Sequence, residues 1–377
     1  MIKPLCTAPF KNIRINVQPT EQTTFRPCCM FNDYNVEHDS VQDYLDSDLL
    51  KKTQTQMYSS LPGACSSCVR QEAQGQTSLR QHYNNKFKDL NGIAQLETFP
   101  SNVCNLRCFM CSESFSTSLA AERKQLGWLN SYHEIDNAGA TMDAILDLPD
   151  LSIVSFIGGE FFLAKRNVEI LELVAQRKLG IRLVTNATIL LPQHIAVLKR
   201  IKDIQLQISI DGINENYEFM RYPGKWADVH HNIHELKRQL PQAQFNFNFV
   251  VQPLNIQHMV ETIDYANRLI IPIALTNLLD PAWLSWAVLT EDENDMLANQ
   301  LEEQSEQAVL TSRQHGQCAE YATTMTNTVH DPALRAEFVQ RMSQLLTHRR
   351  IAPDAVRKQL GDLRDLADSV INFAPGN

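Results

Sequence analysis

From Ile93 onward, short apolar runs alternate with helical patterns, and this alternation restricts the fold more than any other feature. Strands are expected over Ile93–Phe99, Leu151–Ile157, Ile181–Thr185, Ile204–Ile210, Phe245–Val251 and Ile273–Leu278. Helices are expected over Ser118–Leu126, Thr141–Leu148, Val168–Arg177, His194–Ile201, Trp226–Leu240 and Ile256–Leu269. A helix between successive strands carries the chain back over the sheet, so neighbouring strands run parallel. The runs are rich in Val, Ile, Leu and Phe, which predicts a sheet buried on both faces. The pattern is that of an α/β fold, a partial (β/α)6 barrel of TIM type.

Two further regions flank the barrel, giving expected domains of 1–92, 93–284 and 285–377. In the first, Ile13-Arg14-Ile15-Asn16-Val17 alternates as a strand, Gln18 to Thr23 reads as a turn, and Phe25-Arg26-Pro27-Cys28-Cys29 reads as a returning strand. That hairpin would bring Cys6 and Cys28 together. Residues 40–60 have helical spacing at Val41, Tyr44, Leu45, Leu49 and Leu50, and the polar stretch from Val69 to Phe87 is expected to be helical. The region is thus a small cysteine-rich hairpin and helix module. The last region is helical, with apolar spacing at Leu297 and Leu301 and again at Phe338, Met342, Leu345 and Leu346. Capping the barrel, packing on the first module and binding substrate are all open to it.

Eight of the nine cysteines precede residue 112 and fall in short-spaced groups. The start, Met1-Ile2-Lys3-Pro4, lacks the apolar segment of a secretory signal, and no apolar run approaches the ~20 residues of a membrane span. A cytoplasmic location without membrane partners is expected, where such cysteines mean metal or redox chemistry rather than disulfides. A net charge of −9 argues against a nucleic-acid backbone as partner. Cys318 stands alone and is expected to be a buried structural thiol.

Cys104, Cys108 and Cys111 stand in C-x₃-C-x₂-C spacing just after the first barrel strand. Three thiolates can wrap one compact metal cluster, and a cube of four irons so held keeps one iron open to a ligand. In the first region, Cys6, Cys28, Cys29, Cys65 and Cys68 offer five thiols for four places, with Cys65-x₂-Cys68 as a knuckle. They suit tetrahedral zinc or an iron–sulfur cluster, and the downstream three-cysteine loop favours iron–sulfur. Cys28 and Cys29 point to opposite faces of a strand and compete for one place.

The other unusual residues gather at the C-terminal strand ends, the rim that carries active sites in βα barrels. Gly158-Gly159-Glu160 follows the second strand, Thr185-Asn186 ends the third, Ser209 and Asp211 end the fourth, and Asn248 to Gln252 end the fifth. Singly each is a weak signal, a tight turn or a helix cap. Their shared placement is the stronger observation.

Cys104-x₃-Cys108-x₂-Cys111 with Gly158-Gly159-Glu160, Thr185-Asn186 and Ser209-Ile210-Asp211-Gly212 resembles the radical S-adenosylmethionine superfamily. The first region, with Cys6, Cys28-Cys29 and Cys65-x₂-Cys68, resembles the auxiliary-cluster module called twitch (SPASM-like), here placed before the barrel. It departs from common modules in lacking a glycine in the Gln18–Thr23 turn and in having only five cysteines, so a second auxiliary cluster is not expected.

The resemblance implies a [4Fe–4S] cluster on Cys104, Cys108 and Cys111 that binds S-adenosylmethionine and cleaves it to a 5′-deoxyadenosyl radical, which takes a hydrogen from the substrate. It implies that the Gly158-Gly159 backbone approaches the methionyl part, that Glu160 meets the α-amino group and that Arg221 meets the carboxylate. Ser209 and Asp211 would face the ribose or polar tail, Phe109 the adenine, and Asn186 a further polar contact. Cys6, Cys28, Cys65 and Cys68 would hold one auxiliary iron–sulfur cluster as electron acceptor. The expected substrate is a peptide or small polar metabolite, with a flavodoxin-type reductase as electron donor. The alternatives are oxidation of a sugar-like alcohol by the same chemistry, or a non-catalytic iron–sulfur or zinc protein on a degenerate barrel.

Overall fold

The computed structural model describes residues 3–17, 23–31, 38–73, 77–87, 92–278 and 280–373. One sheet contains β1 (Asn12–Val17), β2 (Thr23–Arg26), β3 (Gln95–Thr98), β4 (Ile153–Phe156), β5 (Gly180–Thr185), β6 (Ile204–Ser209), β7 (Gln244–Val251) and β8 (Ile273–Asn277). Their spatial order is β2-β1-β3-β4-β5-β6-β7-β8, and β3 to β8 pair in parallel, each with the next. These six strands are the ones expected from the apolar runs, with ends shifted by at most two residues.

The N-terminal hairpin does not stand apart from the barrel. β1 pairs antiparallel with β2 and parallel with β3, in the register Asn12↔Gln95, Ile13↔Leu96, Arg14↔Glu97. The free edge of β3 presents unpaired backbone groups, and the hairpin satisfies them. Arg14 and Glu97 form an ion pair across that seam. The expected Gln18–Thr23 turn lies, through residue 22, outside the described residues.

The two faces of the sheet differ in chemistry, one apolar and the other polar, and Gln95, Glu97 and Ser155 on the polar face are buried too. Ile13, Leu96, Val154, Ile181, Leu206 and Phe247 on one face are at most 1% exposed. They share a core with Ile145, Leu171, Val174, Leu198, Ile233 and Leu236 of the crossover helices. Each such side chain contributes about 1.5–3 kcal/mol on burial. The opposite face carries Arg14, Glu97, Ser155, Arg182, Gln205, Gln207, Asn246 and Asn248. On this face Arg182 Nε donates to Gln205 Oε1 at 3.1 Å. The alternation is visible in Ile204-Gln205-Leu206-Gln207-Ile208 and in Asn246-Phe247-Asn248-Phe249, a period of two that belongs to half-polar strands.

The C-terminal helices Glu291–Gln307, Ser312–Thr326, Pro332–Arg349, Pro353–Leu360 and Arg364–Ile371 form a second core. It joins Leu297, Leu301, Phe338, Met342 and Leu346 to Phe249 and Val251 of β7 and to Phe109 of the cysteine loop. These helices therefore pack on the barrel beside the three cysteines, and among the described residues no buried member of that core precedes Phe109. The Pro332–Arg349 helix starts on Asp331, whose carboxylate accepts from the amides of Ala333 and Leu334 at 2.9 and 3.2 Å. It ends at Arg350, which adopts φ +54°. Cys318 is fully buried in this core. Among the described residues no helix is long and apolar enough to cross a membrane.

Candidate active site

The loop after β3 is held from three sides. The Glu160 amide donates to the Val103 carbonyl at 2.8 Å and the Gly159 amide to Phe115 at 3.2 Å. The amides of Arg107 and Phe109 donate to the carbonyls of Tyr222 and Met220 at 2.6 and 3.3 Å. Ser116 and Ser118, at the start of the Thr117–Gln125 helix, donate their hydroxyls to the Leu106 and Cys104 carbonyls at 2.7 and 2.6 Å. Asn105, inside the motif, donates to Thr188 at 2.9 Å and accepts from Asn186 at 3.1 Å, which ties the loop to the end of β5.

Cys104, Cys108 and Cys111 come together in this loop. Burial pushes the Cys104 and Cys111 thiols up to about 12, and the neighbouring Cys108 adds to both. Cys108 is pushed up by burial and pulled back by Arg221. Each of two sulfurs also receives a side-chain donor, Asn186 Nδ2 to Cys104 at 3.9 Å and Arg221 Nη1 to Cys108 at 3.8 Å. Such donors favour thiolate over thiol. Among the described residues no three His, Cys, Asp or Glu side chains converge as on one metal ion. Thiolates on separate irons of one cluster stand wider apart than the ligands of a single ion.

Around the loop, Gly158 and Gly159 adopt φ +76° and +57°. A Cβ on Gly158 would overlap the Phe99 ring, and one on Gly159 would overlap the Ser101 carbonyl oxygen. Glu160, 1% exposed, accepts from Thr185 Oγ1 at 2.8 Å and from the Asn186 amide at 2.7 Å. Burial raises its carboxyl, and these donors pull it back. Asp211 and Arg221 meet at 2.6 Å, both buried. Burial pushes the Asp211 carboxyl up, and Arg221 and the Val250 amide draw it down again. Burial works against the Arg221 charge, but Asp211 holds it. Ser209 ends β6 opposite Asn248 of β7. Phe109 packs against Phe219, with ring centres 5.3 Å apart.

The site's fit to a polar ligand shows in its unpaired atoms. Among the described residues, Tyr217 Oη and both polar atoms of the Gln252 side chain are buried without a partner. Buried polar groups left so are costly, at about 1–3 kcal/mol each, and they suit a ligand that supplies the missing partners. The donor set also fits an iron–sulfur group, since three thiols with N–H donors at two of their sulfurs match its chemistry. A cavity of about 340 Å³ opens beside Cys111, lined also by Arg123, Trp283 and Arg341.

The thiols of the first region are also gathered. Cys6, Cys28, Cys65 and Cys68 are buried, and Cys29 is half-buried. Burial pushes Cys28 up, and Cys29, Cys6 and Cys65 add to it. Burial raises Cys29 to about 11, and its charged neighbours include the Glu97 and Arg14 pair. Cys6 is held by its flanks: Arg80 Nη1 and Asn84 Nδ2 donate to the Leu5 carbonyl at 2.7 and 2.9 Å.

Several residues at the site carried no recognised signal in the sequence. Asn105 sits inside the motif and was readable as a polar spacer. Glu122, Tyr222 and Arg349, which surround the loop from outside, have no local pattern that marks them. Arg349 Nη2 donates to the Arg107 carbonyl at 2.7 Å across 242 residues of chain.

Comparison with known proteins gives a family match over part of the chain. The radical SAM superfamily model matches residues 98–266. No curated protein matches the chain. Among solved structures, anSMEcpe with bound AdoMet is 20% identical with a TM-score of 0.41, covering 56% of this chain and 59% of its own. This chain therefore spans less than two thirds of that protein. SuiB of Streptococcus suis bound to S-adenosylmethionine is 13% identical with a TM-score of 0.37, covering 78% of this chain and 68% of its own. The methyltransferase TsrM from Kitasatospora setae, with cobalamin and a [4Fe-4S] cluster bound, is 10% identical with a TM-score of 0.35, covering 49% and 34%. Residues 98–266, which contain the three-cysteine loop and the rim, are similar to the radical SAM superfamily.

Proposed function

We propose that this protein is a radical S-adenosylmethionine enzyme acting on a polar substrate, in first place a peptide. The observation that carries the reading is the single loop that carries Cys104, Cys108 and Cys111, with N–H donors from Asn186 and Arg221 at two of the sulfurs. Cys104, Cys108 and Cys111 would hold a [4Fe–4S] cluster, which with S-adenosylmethionine would supply radical chemistry that takes a hydrogen from the substrate.

The chain's own residues bind and orient. Gly158 and Gly159 leave no Cβ between their backbone and a ligand. The Glu160 carboxylate, fixed by Thr185 and Asn186, offers its remaining acceptor capacity to an ammonium group. The Arg221 guanidinium, held by Asp211, is assigned to the cofactor carboxylate, which its planar fork suits. Ser209 and Asp211 are assigned to the ribose or polar tail, and Asn186 to a further polar contact. Phe109, buried under the C-terminal helices, is given a supporting role here.

The polar face of the sheet supports a polar substrate. Gln205, Gln207, Asn246 and Asn248 present amides, each a donor and an acceptor, which suits the N–H and C=O groups of a peptide. The same face suits the hydroxyls of a sugar-like alcohol, the second reading. Cys6, Cys28, Cys65 and Cys68 hold one auxiliary iron–sulfur cluster as electron acceptor; Cys28 is taken over Cys29 because it faces Cys6 and Cys65. A flavodoxin-type reductase is the expected electron donor.

Anaerobic reconstitution, iron analysis, and incubation with dithionite and S-adenosylmethionine test the reading. The expected product is 5′-deoxyadenosine, abolished in Cys104→Ala. Bound iron with no product would reject it.

A further inference from the structure

The last residue of the Pro332–Arg349 helix is buried against the cysteine loop. Arg349 is 6% exposed, and its side chain and that of Glu122 are fully covered. Its Nε and Nη2 donate to the two Glu122 oxygens at 2.9 and 2.6 Å, a bidentate fork. Nη2 also donates to the Arg107 carbonyl at 2.7 Å. The guanidinium carbon stands 4.5 Å from the centre of the Phe109 ring and 5.1 Å from that of Tyr222. Both Arg107 and Phe109 lie between the first and third cysteines of the loop.

Two features exceed what an anchor for the C-terminal helices requires. Arg349 Nη1 is buried with no hydrogen-bond partner among the described residues. Arg107 also reaches Glu122, at 3.3 Å, so two guanidinium groups share one carboxylate and the local balance is positive. A positive balance in a buried site, next to sulfurs that carry negative charge, stabilises the more anionic state of whatever they hold.

We propose that Arg349 is a positioning residue for the iron–sulfur cluster on Cys104, Cys108 and Cys111. It fixes the Arg107–Phe109 backbone on Glu122, and its buried cation raises the reduction potential of the cluster. This rests on the function proposed above, because it needs a cluster at those cysteines. It gives the C-terminal helices a task in the redox chemistry rather than only in packing.

The test uses the full chain, reconstituted anaerobically, as wild type, Arg349→Gln, Arg349→Lys and Glu122→Gln. Iron content, the electron paramagnetic resonance spectrum of the reduced protein and its midpoint potential are measured. The cluster in question is the one whose spectrum changes on adding S-adenosylmethionine. Arg349→Gln is expected to keep its iron but to be at least tenfold less reduced at a fixed potential, about 59 mV for one electron. Arg349→Lys, which keeps the charge and loses the fork, should recover most of that loss, and Glu122→Gln should shift the potential the opposite way. An unchanged potential and spectrum in Arg349→Gln overturns the proposal, as does a loss of iron that lysine does not restore. Wild-type protein that binds no iron at these cysteines removes the functional reading itself, and the proposal with it.

Discussion

Replacing Gly159 with alanine measures how closely the Gly-Gly-Glu turn is fitted to the cysteine loop. Gly159 has φ +57°, and a Cβ there would stand 2.9 Å from the Val103 carbonyl oxygen and closer still to that of Ser101. Both are main-chain atoms, and the Val103 oxygen is already bonded to the Glu160 amide at 2.8 Å, so neither can swing aside as a side-chain end would. The left-handed backbone costs alanine about 1–2 kcal/mol. Forcing a methyl into filled space adds about 1–3 kcal/mol, for an expected total of about 2–5 kcal/mol. Gly127→Ala is the control: φ is +76°, yet nothing lies within 4 Å of its Cβ, so only the backbone contribution remains. Urea denaturation under anaerobic conditions, followed by far-ultraviolet circular dichroism, compares the midpoints. Gly159→Ala should fall clearly below Gly127→Ala and also take up less iron, because Ser101 and Val103 lead directly into Cys104. Equal midpoints for the two variants would refute the contact argument.

Three further outcomes are expected. Glu160→Gln keeps the shape and removes the anion, so S-adenosylmethionine binding to the reconstituted protein should weaken about tenfold or more, the worth of a charged hydrogen bond. Equilibrium dialysis reads this, and an unchanged affinity would count against the role given to Glu160. Cys65→Ala should lose about four irons if the auxiliary group is of the four-iron type, while retaining some 5′-deoxyadenosine formation; an unaltered iron content would dispose of the N-terminal cluster. Burial, with Arg182 adding to it, lowers Lys86 to about 8 from an ordinary 10.5. The unfolded chain then binds more protons between these values, so this group makes stability rise with pH from about 8 to 10.5. Melting temperatures across that window should climb less in Lys86→Gln than in wild type, and parallel curves would sink the assignment.

The parts of the site that could be read beforehand are those whose chemistry is local. Cys104, Cys108 and Cys111 lie within eight residues, and Gly158-Gly159-Glu160 are contiguous. Their spacing carries the same meaning in any fold that places them after strands. Arg221 was expected at a ligand carboxylate, and the structure adds its pairing with Asp211 and its bond to Cys108, which no spacing encodes. Phe109 was read as a surface for a ring, and the structure sets it against Phe219 and Arg349 instead. The Asn214–Met220 helix went unread because it is a short polar segment ahead of a chain reversal, with few apolar positions to show a period.

The sequence by itself determined the six parallel strands, the order of the rim residues and the thiol set, because strand period, crossover length and ligand spacing are properties of neighbouring residues. Only the tertiary structure decided that the N-terminal hairpin completes the edge of β3. It alone decided that Arg349 closes on Glu122 behind the cysteine loop. Edge pairing is made by backbone groups that every residue carries, and a buried ion pair by side chains that are ordinary surface residues in isolation. Neither leaves a mark on the chain until distant segments are brought together.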